Sequence, residues 1–177
     1  MANILESILQ STKYYAPESW VPGKSEEIAR LINLCARDGN EAALIITHMI
    51  CDSNGFRHTV ETGGADQFYT PYYGRGYIKL TWRGNYQEAS RDLCEEDLIH
   101  NPDIINSSVE WCTRVSLWYW EKRVRPVLDR SVDKSFHFVA KTFNPEAERD
   151  SDYGSERYEV YCQAARMLGV KSLMSYH

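Results

Sequence analysis

The sequence predicts a mainly α-helical domain interrupted once by a long loop rich in glycine and tyrosine. Three observations lead there. Apolar residues recur at helical spacing along most of the chain. Between Asp52 and Tyr77 that spacing stops, and Gly55, Gly63, Gly64, Pro71, Gly74 and Gly76 punctuate the chain instead. Helical spacing resumes after this stretch and continues to Gly169.

Residues 1–10 place Ile4, Leu5, Ile8 and Leu9 on one helix face. Pro17, Pro22 and Gly23 make residues 11–24 a loop. Ser25 is the expected cap of the next helix, with Glu26 and Glu27 in its first turn and Ile28, Leu31, Ile32 and Cys35 facing inward. Gly39-Asn40 is the expected stop. Residues 41–51 are apolar almost all round, which predicts a buried helix. Residues 80–93 and 107–121 read as helices, the second introduced by Asn101-Pro102-Asp103 and capped by Ser107 or Ser108. Arg125-Pro126-Val127 is an expected break. Residues 132–142 and 155–168 are further helices, and Gly169 is the expected C-terminal stop.

The 177 residues suit a single domain spanning 1–177. Hydrophobic residues at 43% and aromatics at 12% exclude a largely disordered chain. A net charge of −5 disfavours nucleic acid, because phosphate demands a basic face. No run approaches the roughly 20 apolar residues that span a bilayer, so no membrane partner is expected. The N-terminus has neither a basic region nor a long apolar core, so a signal peptide is not expected. That fits a cytoplasmic protein, one released without a leader, or a mature secreted form. Cys35, Cys51, Cys94, Cys112 and Cys162 are odd in number and show no C-x-x-C spacing. They are expected to be reduced thiols, and neither a metal nor a cofactor is implied.

The long loop carries the chemistry. Asp52 ends the buried helix, and Glu61 is the only carboxylate between it and Asp66. An acid at the end of an apolar helix is partly desolvated, which suits a proton donor. A second acid on the adjoining loop can face it across a cleft, and two such groups are the minimum for glycoside hydrolysis. Taken alone, the pair reads better as two solvated surface acids.

The following segment, Tyr72-Tyr73-Gly74-Arg75-Gly76-Tyr77-Ile78-Lys79-Leu80-Thr81-Trp82, then Asn85-Tyr86, changes that. It resembles the Y-x-G-R-G-x-I-Q-L-T signature, followed by N-Y, of the family 19 glycoside hydrolases, the chitinases and related phage-type lysins. Asn101-Pro102-Asp103, the aromatic stretch Trp111 to Trp120, Phe143-Asn144 and the C-terminal Ser155 to Val170 resemble further family features. The resemblance covers roughly residues 40–170. It implies a lysozyme-like bilobal helical domain with a substrate cleft. The implied ligand is a β-1,4-linked N-acetylglucosamine polysaccharide, cleaved with inversion. The resemblance makes Asp52 the general acid, Glu61 the general base and Thr81 the holder of the attacking water. It makes Tyr73, Lys79, Trp82, Asn85, Asn144 and Arg157 substrate-binding or carboxylate-steadying residues. Flat aromatics with polar tips suit sugar rings, and core packing is the competing reading for each. For Arg157 the competing reading is an exposed helix charge.

Two positions depart from the family. Its general acid is a Glu in an H-E-[ST]-x-G context, where this chain has Cys51-Asp52-Ser53-Asn54-Gly55. Lys79 stands where the family has Gln. A second register, with Glu61-Thr62-Gly63-Gly64 as the acid segment, is rejected because no apolar helix precedes Glu61. An Asp carboxyl sits roughly 1–1.5 Å further back than that of Glu, and displacement of that size can cost about 100-fold in rate. Inverting enzymes keep their carboxyls about 6.5–9.5 Å apart, and a shorter acid widens the gap. Three readings therefore stay open: a working hydrolase with an unusual acid, a domain that binds glycan without turnover, and an interaction protein on the same scaffold. The negative charge favours neutral chitin-type chains over anionic peptidoglycan, whereas the phage-like G-R-G-Y-I points the other way.

Overall fold

The structure, a computed structural model, describes residues 2–20, 23–93, 97–143 and 151–177. Eight α-helices appear among these residues: α1 (Ala2–Gln10), α2 (Lys24–Cys35), α3 (Gly39–Asp52), α4 (Arg83–Leu93), α5 (Val109–Tyr119), α6 (Arg125–Arg130), α7 (Phe136–Phe143) and α8 (Ser151–Met167). No β-strand forms among the described residues. Two isolated bridges, Val60 with Arg75 and Arg75 with Leu80, tie the long loop into a tight double turn.

Helix α3 is the axis of the core. Every residue from Ala42 to Ile50 is buried, so α3 is covered on all sides and α8 packs along it. Asp38 caps it by accepting a hydrogen bond from the Glu41 backbone N–H at 2.8 Å. Leu5, Ile8 and Leu9 of α1 and Ile28 and Ile32 of α2 close one side. Each such side chain, fully buried, is worth about 1.5–3 kcal/mol of transfer free energy.

The helices expected from 80, 132 and 155 start at Arg83, Phe136 and Ser151, and three further boundaries move for a local reason. Helix α2 starts at Lys24 behind Gly23, whose φ of 84° places it in the left-handed region. Ser25 thus lies inside the helix, and its hydroxyl donates to Glu26 Oε2 at 3.1 Å. Helix α2 ends at Cys35, and Gly39-Asn40 opens α3 instead, because the Asp38 carboxylate makes a better start than glycine makes a stop. Arg125-Pro126-Val127 does not break the chain. Trp120–Val124 widens into a π-helical turn, and Pro126 falls in the first turn of α6, where its missing N–H costs nothing. Arg125 and Trp120 both donate to Glu41 Oε1, at 2.7 and 2.8 Å, pinning this turn to the start of α3. The expected cap at Ser108 is present and accepts from the Trp111 N–H at 3.0 Å. Gly169 follows α8 with φ of 75°, as a helix stop requires.

Among the described residues, no helix is long and apolar enough to cross a membrane. Cys35, Cys51, Cys112 and Cys162 are free thiols, and Cys94 lies outside the described residues.

Candidate active site

Asp52 is the last residue of α3, where the buried helix emerges beneath the long loop. Its Oδ1 accepts from Arg157 Nη2 of α8 at 2.5 Å. The Arg157 side chain is only 2% exposed, so it is a buried cation and not a surface charge. A second guanidinium nitrogen, Nη1, lies 2.6 Å from His48 Nδ1. His48 precedes Asp52 by one helical turn, so both project from one face of α3 toward α8. Sequence reasoning missed His48, although its i, i+4 spacing from Asp52 was the available signal. Cys51, beside the acid, is mostly buried, and burial pushes its thiol up to about 11.

Glu61 is held from the other side. Tyr69 donates its hydroxyl to Oε1 at 2.6 Å, and the Gly74 N–H donates to Oε2 at 2.8 Å. The Glu61 N–H in turn donates to the Gly74 carbonyl at 2.8 Å. Gly74 is required here: a Cβ would stand 2.9 Å from the Lys79 Cβ and 3.2 Å from Glu61 Oε2. Tyr69 was also missed, since a contact across a loop leaves no periodic trace.

Lys79 is a half-buried cation. Burial lowers the pKa of its ammonium, and the nearby Asp52, Cys112 and Glu61 partly offset this. Its backbone is left-handed, with φ of 55°, and its Nζ donates to the His58 carbonyl. Thr81 Oγ1 donates to the Lys79 carbonyl at 2.8 Å, which leaves its lone pairs to accept. Trp82, also left-handed with φ of 78°, is half-exposed. Its ring meets Tyr69 at 4.8 Å and the exposed Phe68 at 5.6 Å.

Other expected residues serve the loop itself. Arg75 is buried, bonded to Asp103, the Pro71 carbonyl and Tyr86. The Tyr73 ring stacks on it at 3.8 Å and packs against Gly64. Tyr77 is core, edge-on to Phe56 at 5.0 Å. The Asn85 amide donates to the Thr81 carbonyl at 2.8 Å, a helix-start contact for α4. Asn144 lies outside the described residues. Among the described residues, no group of His, Cys, Asp and Glu could hold a metal ion.

The buried His48 gives a pH signature. Burial first, and the Arg157 charge second, hold its pKa well below the ordinary value. When unfolded, the ring takes up a proton below about pH 6.5. The unfolded state then binds more protons than the native state. Stability is therefore full above that pH and falls below it, by up to ~1.4 kcal/mol per pH unit. Denaturant unfolding between pH 7 and 5 should show a smaller slope for His48→Phe than for the unmodified protein. Equal slopes would refute a native-state neutral ring.

Comparison with known proteins follows the same lines. Residues 57–167 match the family model described as chitinase class I, glycoside hydrolase family 19. The chain is 28% identical over 131 residues to an endochitinase of Arabidopsis thaliana, covering 67% of this chain and 48% of that protein. It is 27% identical over 146 residues to endochitinase EP3 of Arabidopsis thaliana, covering 73% and 52%. The chain thus spans about half the length of the curated relatives it matches. Among solved structures, chitinase C from Streptomyces griseus superposes with a TM-score of 0.72 at 17% identity, over 99% of this chain and 77% of that one. A bacterial family 19 chitinase gives 0.75 at 21%, over 99% and 98%. The class IV chitinase from Zea mays gives 0.75 at 17%, over 97% and 93%. The fold is the lysozyme-like helical fold that these share.

Proposed function

Because the chain belongs to the family 19 glycoside hydrolases, we propose that it hydrolyses β-1,4-linked N-acetylglucosamine polymers in one inverting step. One observation carries the reading. Asp52 and Glu61 come from different elements, and each carboxyl is held in place by its own donors, Asp52 by Arg157 and Glu61 by Tyr69 and the Gly74 N–H. Asp52 gives a proton to the leaving glycosidic oxygen. Glu61, fixed by Tyr69 and the Gly74 N–H, takes a proton from water. The free lone pairs of Thr81 accept from that water. Trp82 and Phe68 offer apolar ring faces to the sugar. Its relatives are named as endochitinases, which supports chitin as the substrate.

Glycan capture without turnover is a second reading, favoured by a specific contact. The Asp52 Oδ1 that meets Arg157 is turned toward the protein interior, on a side chain already one methylene short for the role. Release of reducing ends from N-acetylglucosamine hexamers and from peptidoglycan separates the readings. The hydrolase reading expects turnover by the unmodified protein and a loss of about 100-fold or more in Asp52→Asn. An inert protein that Asp52→Glu makes active leaves the capture reading standing. If no form turns over or binds the hexamer, both fail.

A further inference from the structure

We infer that Lys79 is a positioning residue, a strut whose ammonium ties the segment carrying Glu61 to the turn carrying Thr81. The inference rests on the roles proposed for Glu61 and Thr81. Those two side chains must hold one water between them, yet they stand on separate turns of an irregular loop, with no helical ladder to set their spacing. Lys79 touches both sides. Its Nζ donates to the carbonyl of His58, shortly ahead of Glu61. Its own carbonyl accepts from Thr81 Oγ1 at 2.8 Å. Its Cβ lies against Gly74, where an added Cβ would come within 2.9 Å of it and within 3.1 Å of the Glu61 Cβ. Gly74 in turn exchanges two hydrogen bonds with Glu61, each of 2.8 Å. A shift at position 79 is therefore felt by both groups that would hold the water.

Neither the backbone nor burial favours lysine at this position. With φ of 55° the backbone is left-handed, a conformation that glycine or asparagine adopts more readily. The side chain is half-buried, and burial lowers the pKa of its ammonium. An amine drawn out of water needs an acceptor, and the His58 carbonyl supplies one. That acceptor belongs to the main chain, so the bond fixes where the backbone runs on its way to Glu61, whatever the side chain at 58 does. What lysine adds is a donor long enough to cross from the Thr81 turn to that backbone.

The test compares Lys79→Met, which keeps an unbranched stem and the left-handed backbone but has no donor, with Lys79→Arg, whose guanidinium can still reach the carbonyl. Lys79→Leu replaces the methionine variant should that one fail to fold. The first readout is hydrogen exchange of the Glu61 N–H, which is bonded to the Gly74 carbonyl, with the amides of α3 as the internal reference. Expected is exchange at least about tenfold faster in Lys79→Met and within about threefold of the unmodified protein in Lys79→Arg. The second readout is kcat and KM on N-acetylglucosamine hexamers. Expected is a fall in kcat of about 10–100-fold in Lys79→Met with KM little changed, and recovery to within about threefold in Lys79→Arg. Unchanged Glu61 exchange in Lys79→Met overturns the inference, as does a loss in Lys79→Arg as deep as in Lys79→Met. A rise in KM at constant kcat, which a plain sugar contact would give, overturns it too. If exchange quickens as expected while no form turns over glycan, the strut stands and the hydrolase reading fails instead.

Discussion

Replacing Glu61 with glutamine is expected to lower kcat on N-acetylglucosamine hexamers by about 10²–10⁴-fold while leaving KM within a few-fold. The substitution preserves shape. A glutamine oxygen can still accept the Gly74 N–H, and the amide nitrogen can donate to the Tyr69 oxygen, so the two anchors that hold position 61 survive. What disappears is a group able to take a proton from water. The loss therefore falls on the chemical step and not on sugar binding, which is the signature of a base. A thermal melt should show little change. Turnover within about threefold of the unmodified protein would remove Glu61 from the mechanism and leave the loop without an assigned base.

The largest effect on stability is expected at Arg157. Changing it to methionine should cost about 3–5 kcal/mol, because removing one partner of a buried pair strips the other of the cation bonded to it. For a chain of this length that is a fall of about 10 °C in Tm. Asp52 keeps only 12% of its side-chain surface, so water cannot fully replace the guanidinium. His48 Nδ1 would lose its donor as well. Calorimetry of Arg157→Met checks this. A loss below about 1 kcal/mol would mean that the pair is worth no more than a surface ion pair. Asp52→Asn should cost less, since an amide oxygen still accepts from Arg157.

Much of the fold was legible in the sequence, because helices advertise themselves by spacing. Ala42 to Ile50 had no polar face, and that stretch is buried on every side. The boundaries were less legible where two local signals competed. Gly39 could stop a helix, but the Asp38 side chain starts one. Pro126 could break a helix, but a π-helical turn absorbs it, and nothing in the local composition announces such a turn. At the site, Asp52 and Glu61 were legible through a motif and the end of an apolar helix. Tyr69 was not, because its bond to Glu61 crosses an irregular loop with no period. The burial of Arg157 was not legible either. The family resemblance pointed to a carboxylate partner, which Asp52 supplies, while its charge alone suggested a surface position; the packing of α8 along α3 turns it inward. The family resemblance made Tyr73 and Asn85 ligand contacts, and the contacts they make here hold the loop and the start of α4 together.

The burial of α3 also says how the two acids can move. Asp52 rides on the helix around which the rest of the domain is assembled. Segments of that kind open only when the whole domain opens, so their amides exchange with solvent at the rate of global unfolding. Glu61 sits off that helix, on a loop tied by two isolated bridges and its own hydrogen bonds. One acid is therefore part of the frame, and the other is placed by the loop's own bonds. Under the hydrolysis proposed above, any adjustment of the gap between them comes from the Glu61 side, and a carboxyl one carbon short on Asp52 is not recovered by sliding its helix.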